Sequence, residues 1–137
     1  MTQRETIIPD GMNYNPESPY SPGVKVRSGT LLFVSGQTAR DASGQTVGIG
    51  DIRVQARQIM ENIGRILAQG GAGFQDIVKI TMFLADRRDL PAAIEVRSEY
   101  LKGNKPASTA VQAVLRPDAL IEIEAIAVIR EEPWEDR

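Results

Sequence analysis

The sequence contains no cysteine and no histidine among its 137 residues. These two absences exclude a disulfide framework, Cys- and His-based nucleophile systems and the usual zinc motifs, all of which need a thiol or an imidazole. Any catalysis must use carboxylates, hydroxyls, lysine, arginine or backbone amides, and we predict no metal site. Aromatic residues make up only 5% of the chain, which argues against a carbohydrate site built on aromatic platforms.

The sequence also lacks an excess of basic charge and a long apolar run. Lys and Arg number 16 and Asp and Glu number 18, so the formal net charge is -2. Nucleic-acid binding needs clustered cations, and we therefore expect no nucleic-acid partner. No apolar run approaches the ~20 residues of a membrane span, and residues 1–5 lack the apolar segment of a signal peptide. We expect a soluble cytoplasmic protein that does not bind membranes.

The length suits a single domain spanning residues 1–137, with a core that needs neither disulfide nor metal. Residues 1–22 are predicted to form an irregular N-terminal arm, because their second half is rich in proline, which fixes φ and removes a hydrogen-bond donor. Residues 130–137 form a charged tail around Trp134. That tail is either a frayed end or a segment that docks Trp134 on a neighbouring surface.

Between the ends, the hydrophobic periodicity alternates between the strand and helix patterns. Residues 24–27 and 31–37 read as strands joined by a Ser-Gly turn, which predicts a hairpin. Asp51 is a predicted N-cap for a helix whose apolar residues recur at steps of three and four and which ends at two glycines, Gly70 and Gly71.

The second half of the chain repeats this alternation. Residues 77–84 are a predicted strand, and a second helix follows over residues 89–101. Residues 107–115 and 120–129 are predicted strands that form a second hairpin. The order β-β-α-β-α-β-β predicts an α+β fold with one sheet and two helices on one face.

The other face of that sheet has no helix to cover it. Residues 31–34 and much of 77–84 are apolar on both faces, whereas a solvated antiparallel face alternates polar with apolar residues. The sequence therefore predicts that the open face is buried by other subunits.

The last predicted strand carries two carboxylates on one face. Because side chains alternate along a strand, Glu122 and Glu124 point the same way, with Ile126 and Val128 following them on that face. They are either part of a solvated strand end or the edge of a cleft in which a carboxylate acts as acid or base. Ser35 and Gly36 likewise mark either a plain strand end or a place where a ligand approaches backbone amides closely.

Four segments in this order resemble the RidA/YjgF family of reactive intermediate deaminases. They are residues 35–37, 55–63, 76–81 and 121–127, and the resemblance extends over residues 20–128. It implies a chorismate-mutase-like α+β fold and a homotrimer whose sheets form a central barrel, with a small-molecule ligand in each intersubunit cleft. The implied reaction is the hydrolysis of enamines or imines, such as 2-aminoacrylate, to 2-keto acids and ammonia without a cofactor.

The resemblance also assigns roles to individual residues. Tyr20 matches the family's cleft tyrosine, and Ser35 and Gly36 match its ligand-contacting pair. Glu122 matches the glutamate that positions the hydrolytic water. These roles are chemically reasonable, since a carboxylate can orient water against an iminium carbon and a backbone amide can hold a substrate carboxylate.

One position departs from the family pattern. Active deaminases carry Pro-Ala-Arg-Ser, whereas residues 106–109 here read Pro-Ala-Ser-Thr, so Ser108 stands in the place of the arginine that grips the substrate carboxylate. A serine offers one neutral donor in place of a charged fork, which costs about 2–5 kcal/mol in binding and predicts poor 2-aminoacrylate turnover. The sequence leaves open whether Arg40, Arg97 or Arg116 supplies the missing charge.

Three functional hypotheses follow from these residues. The first is a RidA-like hydrolase of a C=N or related polar bond, with a substrate other than a simple 2-imino acid. In it Ser108 and Thr109 bind a neutral substrate group, Ser35 and Gly36 fix the other end, and Glu122 orients water. The second is a non-catalytic trimer that binds a metabolite or a protein partner in the same cleft. The third is a ribonuclease, which the acidic balance and the absence of histidine disfavour.

Overall fold

Six strands and two helices form the main regular structure of residues 4–130, which are the residues that the computed structural model describes. The predicted role of Trp134 therefore lies outside the described residues. In chain order the elements are β1 (Arg4–Ile7), β2 (Gly23–Val26), β3 (Thr30–Gln37), α1 (Ile52–Gln69), β4 (Ile77–Leu84), α2 (Leu90–Leu101), β5 (Ala107–Gln112) and β6 (Ile121–Ile129). This mixed composition confirms the predicted α+β class.

The main sheet has four strands in the order β3-β6-β4-β5. β6 is antiparallel to both of its neighbours, and β5 is parallel to β4, with α2 forming the crossover between them. The predicted hairpin of the last two strands is therefore wrong. A parallel pair needs a long crossover, which α2 provides, and residues 113–120 then lead from the edge strand β5 to the central strand β6.

The predicted hairpin between β2 and β3 is also wrong. β2 pairs with β1 in a separate two-stranded antiparallel sheet. Residues 1–22 are predicted to form an irregular arm, whereas Arg4–Ile7 is a strand. Its four residues are too few and too polar to produce a visible alternation, so the partner of β2 cannot be recognised from its own pattern.

The apolar stripe of α1 packs on one face of the main sheet. The side chain of Asp51 accepts a hydrogen bond from the Val54 amide at 3.1 Å, which confirms the predicted N-cap. The sheet side of this core is formed by alternate residues of β4 and β6, as the strand period requires. The buried residues of the three elements include Ile59, Met60, Ile63, Leu67, Ile80, Met82, Leu84, Ile121, Ile123, Ala125 and Ala127.

The opposite face of the sheet is open in the protomer. Leu31 and Phe33 on β3 are 57% and 66% exposed, and Val111 on β5 is 42% exposed. Glu122 and Glu124 share this face, because the alternate residues of β6 are buried on the helix side. A protomer thus presents apolar side chains and two carboxylates on the same exposed surface.

A buried glutamine clamps two loops at the point where β6 begins. Gln55 on α1 is fully buried, and its Nε2 donates to the carbonyls of Gly48 and Asp118 at 3.1 and 2.8 Å. Its Oε1 accepts a hydrogen bond from the Leu120 amide at 2.9 Å. All of the side chain's polar atoms are thereby satisfied, and the start of β6 is fixed against α1.

Replacing Gln55 with leucine is expected to lower the free energy of unfolding by about 2–4 kcal/mol. The apolar side chain leaves three partly buried backbone groups, those of Leu120, Gly48 and Asp118, without their partner, and a fully buried group in this state costs about 1–3 kcal/mol. Urea unfolding followed by circular dichroism measures the change. Gln69→Leu, at the exposed end of α1, is the matched control, and a loss in Gln55→Leu no larger than in this control would contradict the clamp.

Candidate functional site

The residues singled out from the sequence fall into two groups at different places on the sheet. The glutamate cluster consists of Ser35 and Gly36 at the end of β3 and Glu122 on β6. The serine cluster consists of Ser108 at the start of β5, Tyr20 in the N-terminal arm and Arg97 on α2.

A β-bulge shapes the glutamate cluster. Val34 is opposite Ala125 and Gln37 is opposite Ile123, so β3 contains one more residue than β6 across this stretch. Such a bulge bends the strand and redirects its side chains. It occurs at Ser35 and Gly36, both of which are exposed.

The carboxylate of Glu122 lies directly against the backbone of Gly36. A Cβ atom placed on Gly36 would be 2.9 Å from Glu122 Cδ and would overlap Oε2. Glycine is therefore required at this position for the carboxylate to keep its place. Glu122 is half-buried and Glu124 is exposed, which makes Glu122 the better candidate for a positioned acid or base.

Arg97 ties the serine cluster together. Its Nη1 donates a hydrogen bond to Ser108 Oγ at 2.8 Å, and its Nη2 donates to the Pro19 carbonyl at 3.3 Å. Tyr20 follows Pro19, and its own carbonyl accepts a hydrogen bond from the Tyr14 hydroxyl at 2.7 Å. The N-terminal arm thus reaches Ser108 through the guanidinium group of α2.

The arm is also fastened along the edge of β5. The Ser21 amide donates to the Pro106 carbonyl at 3.1 Å, and Ser21 Oγ donates to the Lys105 carbonyl at 2.5 Å. Ser21 is buried and bridges to Ala107. These contacts hold Tyr20 beside the start of β5.

Arg97 is a buried cation without a carboxylate partner among residues 4–130. Its side chain is 1% exposed, no ion pair to it is found within that range, and its Nε atom has no hydrogen-bond partner there. Desolvation by burial lowers the pKa of Arg97 to about 10, so the group remains protonated at neutral pH.

Of the three arginines that the sequence leaves open, Arg97 is the one that reaches Ser108. Among residues 4–130, neither Arg40 nor Arg116 donates a hydrogen bond to Ser108, and Arg116 is exposed. One signal in the sequence could have identified Arg97. It lies midway between Ala93 and Leu101 at steps of four residues, so it is a charged residue on the buried stripe of α2.

Thr109 faces the other way from Ser108. Its Oγ1 accepts a hydrogen bond from Lys79 Nζ at 2.8 Å on the open face of the sheet, whereas Ser108 Oγ meets Arg97 on the helix side. Adjacent strand residues point to opposite faces. The two hydroxyls therefore do not converge on one ligand group within a protomer.

A single protomer does not bring Ser108 and Glu122 together. Ser108 is opposite Ile80 and Glu122 is opposite Phe83 on the intervening strand β4, so they differ by three residues along the strands and lie two strands apart. Strand spacing and rise place their Cα atoms about 14 Å apart. They also project from opposite faces of the sheet.

The described residues, 4–130, offer neither a metal-binding cluster nor a membrane-spanning helix. In this range no group of three or more His, Cys, Asp or Glu side chains is placed to hold a metal ion. Within the same range, neither helix combines the length and apolar character of a membrane span.

The two helices and the mixed four-stranded sheet define an α+β protein, and solved structures of the Rid family share this fold. A solved Rid-family protein of unknown function from Yersinia pestis, YyfB, has a TM-score of 0.80 and 32% identity, covering 93% of this chain and all of that one. RidA from an Antarctic Psychrobacter has a TM-score of 0.69 and 31% identity, covering 91% of this chain and 99% of that chain.

Sequence comparison agrees with the structural comparison. A model of the Endoribonuclease L-PSP family matches residues 12–129. A RutC family protein of Pyrococcus abyssi is 43% identical over 113 residues, which cover 82% of this chain and 87% of the relative. The 3-aminoacrylate deaminase RutC of Acinetobacter baylyi is 36% identical over 125 residues, covering 90% of this chain and 97% of that protein.

The chain therefore belongs to the Endoribonuclease L-PSP family, which includes the Rid and RutC proteins, and the resemblance to RidA/YjgF is confirmed. Membership supports, in general terms, a RidA-like imine deaminase or an endoribonuclease-type function.

Proposed function

We propose that this chain is a cytoplasmic, cofactor-free hydrolase that deaminates a small enamine or imine. Glu122 orients and deprotonates a water molecule, whose oxygen bonds to the imine carbon. As that bond forms, the π electrons of the C=N bond move to the protonated imine nitrogen and give a carbinolamine. The Glu122 carboxyl group returns its proton to the amine nitrogen, the C–N bond breaks to release ammonia, and the hydroxyl loses its proton to leave the carbonyl product. The contact between the Glu122 carboxylate and Gly36 is the observation that carries this proposal, because it fixes a carboxylate beside backbone that a ligand can approach.

The proposed substrate site also uses Tyr20, Ser35, Gly36, Ser108 and Thr109. Since the glutamate and serine clusters lie far apart in one protomer, we propose that each site combines one cluster with the other cluster of a neighbouring subunit in a homotrimer. The exposed apolar side chains Leu31 and Phe33 support burial of the open face in such an assembly. Thr109, which is on the open face, then belongs to the subunit interface near the cleft.

The net charge of -2 and the absence of histidine favour deamination over RNA cleavage. A ribonuclease that uses acid–base catalysis commonly relies on imidazole, and this chain offers carboxylates in its place. We therefore assign the site to a small molecule and not to a nucleic acid.

The test uses 2-aminoacrylate generated in place by a serine or cysteine lyase, with the purified chain added in catalytic amount. Ser108 alone predicts poor turnover of 2-aminoacrylate, but Arg97 Nη1 lies 2.8 Å from Ser108 Oγ and brings a positive charge to this position. We therefore expect ammonia and pyruvate to form faster than by spontaneous hydrolysis, and the imine to disappear correspondingly faster. Binding of the keto-acid product without any acceleration of 2-aminoacrylate or of a panel of other imines would contradict the hydrolase. That result would favour the non-catalytic binding protein.

A further inference from the structure

We propose that Arg97 makes the site of this chain select negatively charged substrates. Its positive charge acts on the ligand through Ser108, whereas the arginine of the family pattern acts on it directly. The inference rests on the proposed function and deepens it. It assigns the ligand to the small carboxylates, in contrast to the neutral group expected from Ser108 alone. Arg97 is a positioning residue here, since Ser108 is the group that contacts the ligand.

The positive charge of Arg97 is not balanced by a carboxylate among residues 4–130. A buried guanidinium is normally paired with a carboxylate, because desolvating a lone charge is costly. Arg97 has no such partner among residues 4–130, and its Nε has no acceptor there. A site with an unbalanced buried cation and an unused donor is suited to receive an anion.

The hydrogen bond between Arg97 and Ser108 leaves the hydroxyl proton of Ser108 available. Arg97 Nη1 donates to Ser108 Oγ, so the serine oxygen is the acceptor in this contact. The hydroxyl of serine has one proton, which is thereby free to be donated elsewhere. Ser108 is half-buried, so its proton can reach a ligand while its oxygen remains on the guanidinium.

Filling the space beneath α2 does not by itself require a charged side chain. The aliphatic stem of Arg97 lies on the buried stripe of α2 with Ala93 and Leu101, and methionine would fill similar space. Methionine removes the desolvation cost of the unpaired guanidinium, but it also leaves Ser108 Oγ and the Pro19 carbonyl without their donor. Since these two effects oppose each other, we expect Arg97→Met to remain folded and to unfold at a urea concentration close to that of the wild type.

The experiment compares the binding of pyruvate with that of pyruvamide, its neutral analogue, by isothermal titration calorimetry. The wild type is expected to prefer pyruvate by about tenfold or more, as a charge-assisted contact allows. Arg97→Met and Ser108→Ala should reduce this preference to about twofold or less. Arg57→Met, which removes an arginine of α1 that pairs with Glu99, is the matched control and should keep the wild-type preference.

A double variant tests the inference if Arg97→Met fails to fold. The exchange Arg97→Ser with Ser108→Arg keeps the composition and moves the guanidinium from α2 to β5. It should bind pyruvate better than Arg97→Ser alone, because the charge again reaches the ligand. An unchanged preference for pyruvate in folded Arg97→Met, or no preference in the wild type, would overturn the inference.

The readout separates this inference from the proposed function. Binding of pyruvate and pyruvamide does not depend on turnover. A preference for pyruvate that depends on Arg97, in a chain that accelerates no imine hydrolysis, upholds the inference and refutes the hydrolase. Turnover of imines with no preference for pyruvate over pyruvamide supports the hydrolase and refutes the inference.

Discussion

Replacing Glu122 with glutamine is expected to lower kcat for 2-aminoacrylate hydrolysis by about 10²–10⁴-fold. General base catalysis by a positioned side chain contributes an effect of this size, and the amide cannot accept a proton from water. Glutamine keeps the shape of the side chain against Gly36, so product binding and urea unfolding should change little. Steady-state kinetics with the coupled lyase measures the loss.

Glu124→Gln is the matched control, because Glu124 is on the same face of β6 and is exposed. It should retain most of the wild-type kcat. If Glu122→Gln and Glu124→Gln lose activity equally, or if neither loses any, Glu122 is not the residue that activates water.

Glu122→Gln also tests whether the glutamate cluster and the serine cluster of one site come from different subunits. In a homotrimer whose sites combine clusters from neighbouring subunits, Glu122→Gln and Ser108→Asp chains refolded together should regain activity that neither has alone. Random mixing in equal amounts gives about a quarter of the sites with both clusters intact. Mixtures of Glu122→Gln with Gly36→Ala carry both lesions in one cluster and should regain nothing.

The helices and the carboxylate face were predictable from the sequence because local rules govern them. The cap at Asp51, the stop at Gly70 and the apolar spacing of α1 depend only on neighbouring residues. The alternation of β6 similarly placed Glu122 and Glu124 on one face. These features do not depend on the order of the strands in the sheet.

Strand pairing was not predictable in this way. A Ser-Gly turn at Ser28 and Gly29 favours a hairpin locally, yet β2 is paired with β1, which comes far earlier in the chain. Likewise β5 follows a helical crossover and pairs with β4, leaving β6 to enter the centre of the sheet. Pairing depends on which non-local partner buries the most surface, and periodicity carries no information about that choice.

The chemistry of Ser108 shows the same limit of sequence reasoning. Read alone, the change from arginine to serine removes a charge, which leads to the expectation of a neutral substrate. In the folded chain, Arg97 lies 2.8 Å from Ser108 Oγ although it is separated from it by the end of α2 and a loop. A guanidinium therefore lies beside Ser108, although residues 106–109 contain no arginine.

Replacing Gly36 with alanine is expected to lower kcat by about 10²-fold with little change in stability. The new Cβ would overlap Glu122 Oε2, and the flexible carboxylate would move away from its position in the cluster. A small misplacement of a catalytic group has effects of this size. Gly36 has no positive φ, so alanine fits its backbone conformation, and urea unfolding should be within about 1 kcal/mol of the wild type.

Gly23→Ala is the matched control, because Gly23 also lacks a positive φ and its added Cβ would meet only Ile7 at 3.4 Å, an ordinary contact. It should retain wild-type kcat. If Gly36 acts by holding Glu122, the double variant Gly36→Ala with Glu122→Gln should be no slower than Glu122→Gln alone, since one function is lost only once. Multiplying losses in the double variant would mean that Gly36 contacts the substrate independently of the carboxylate.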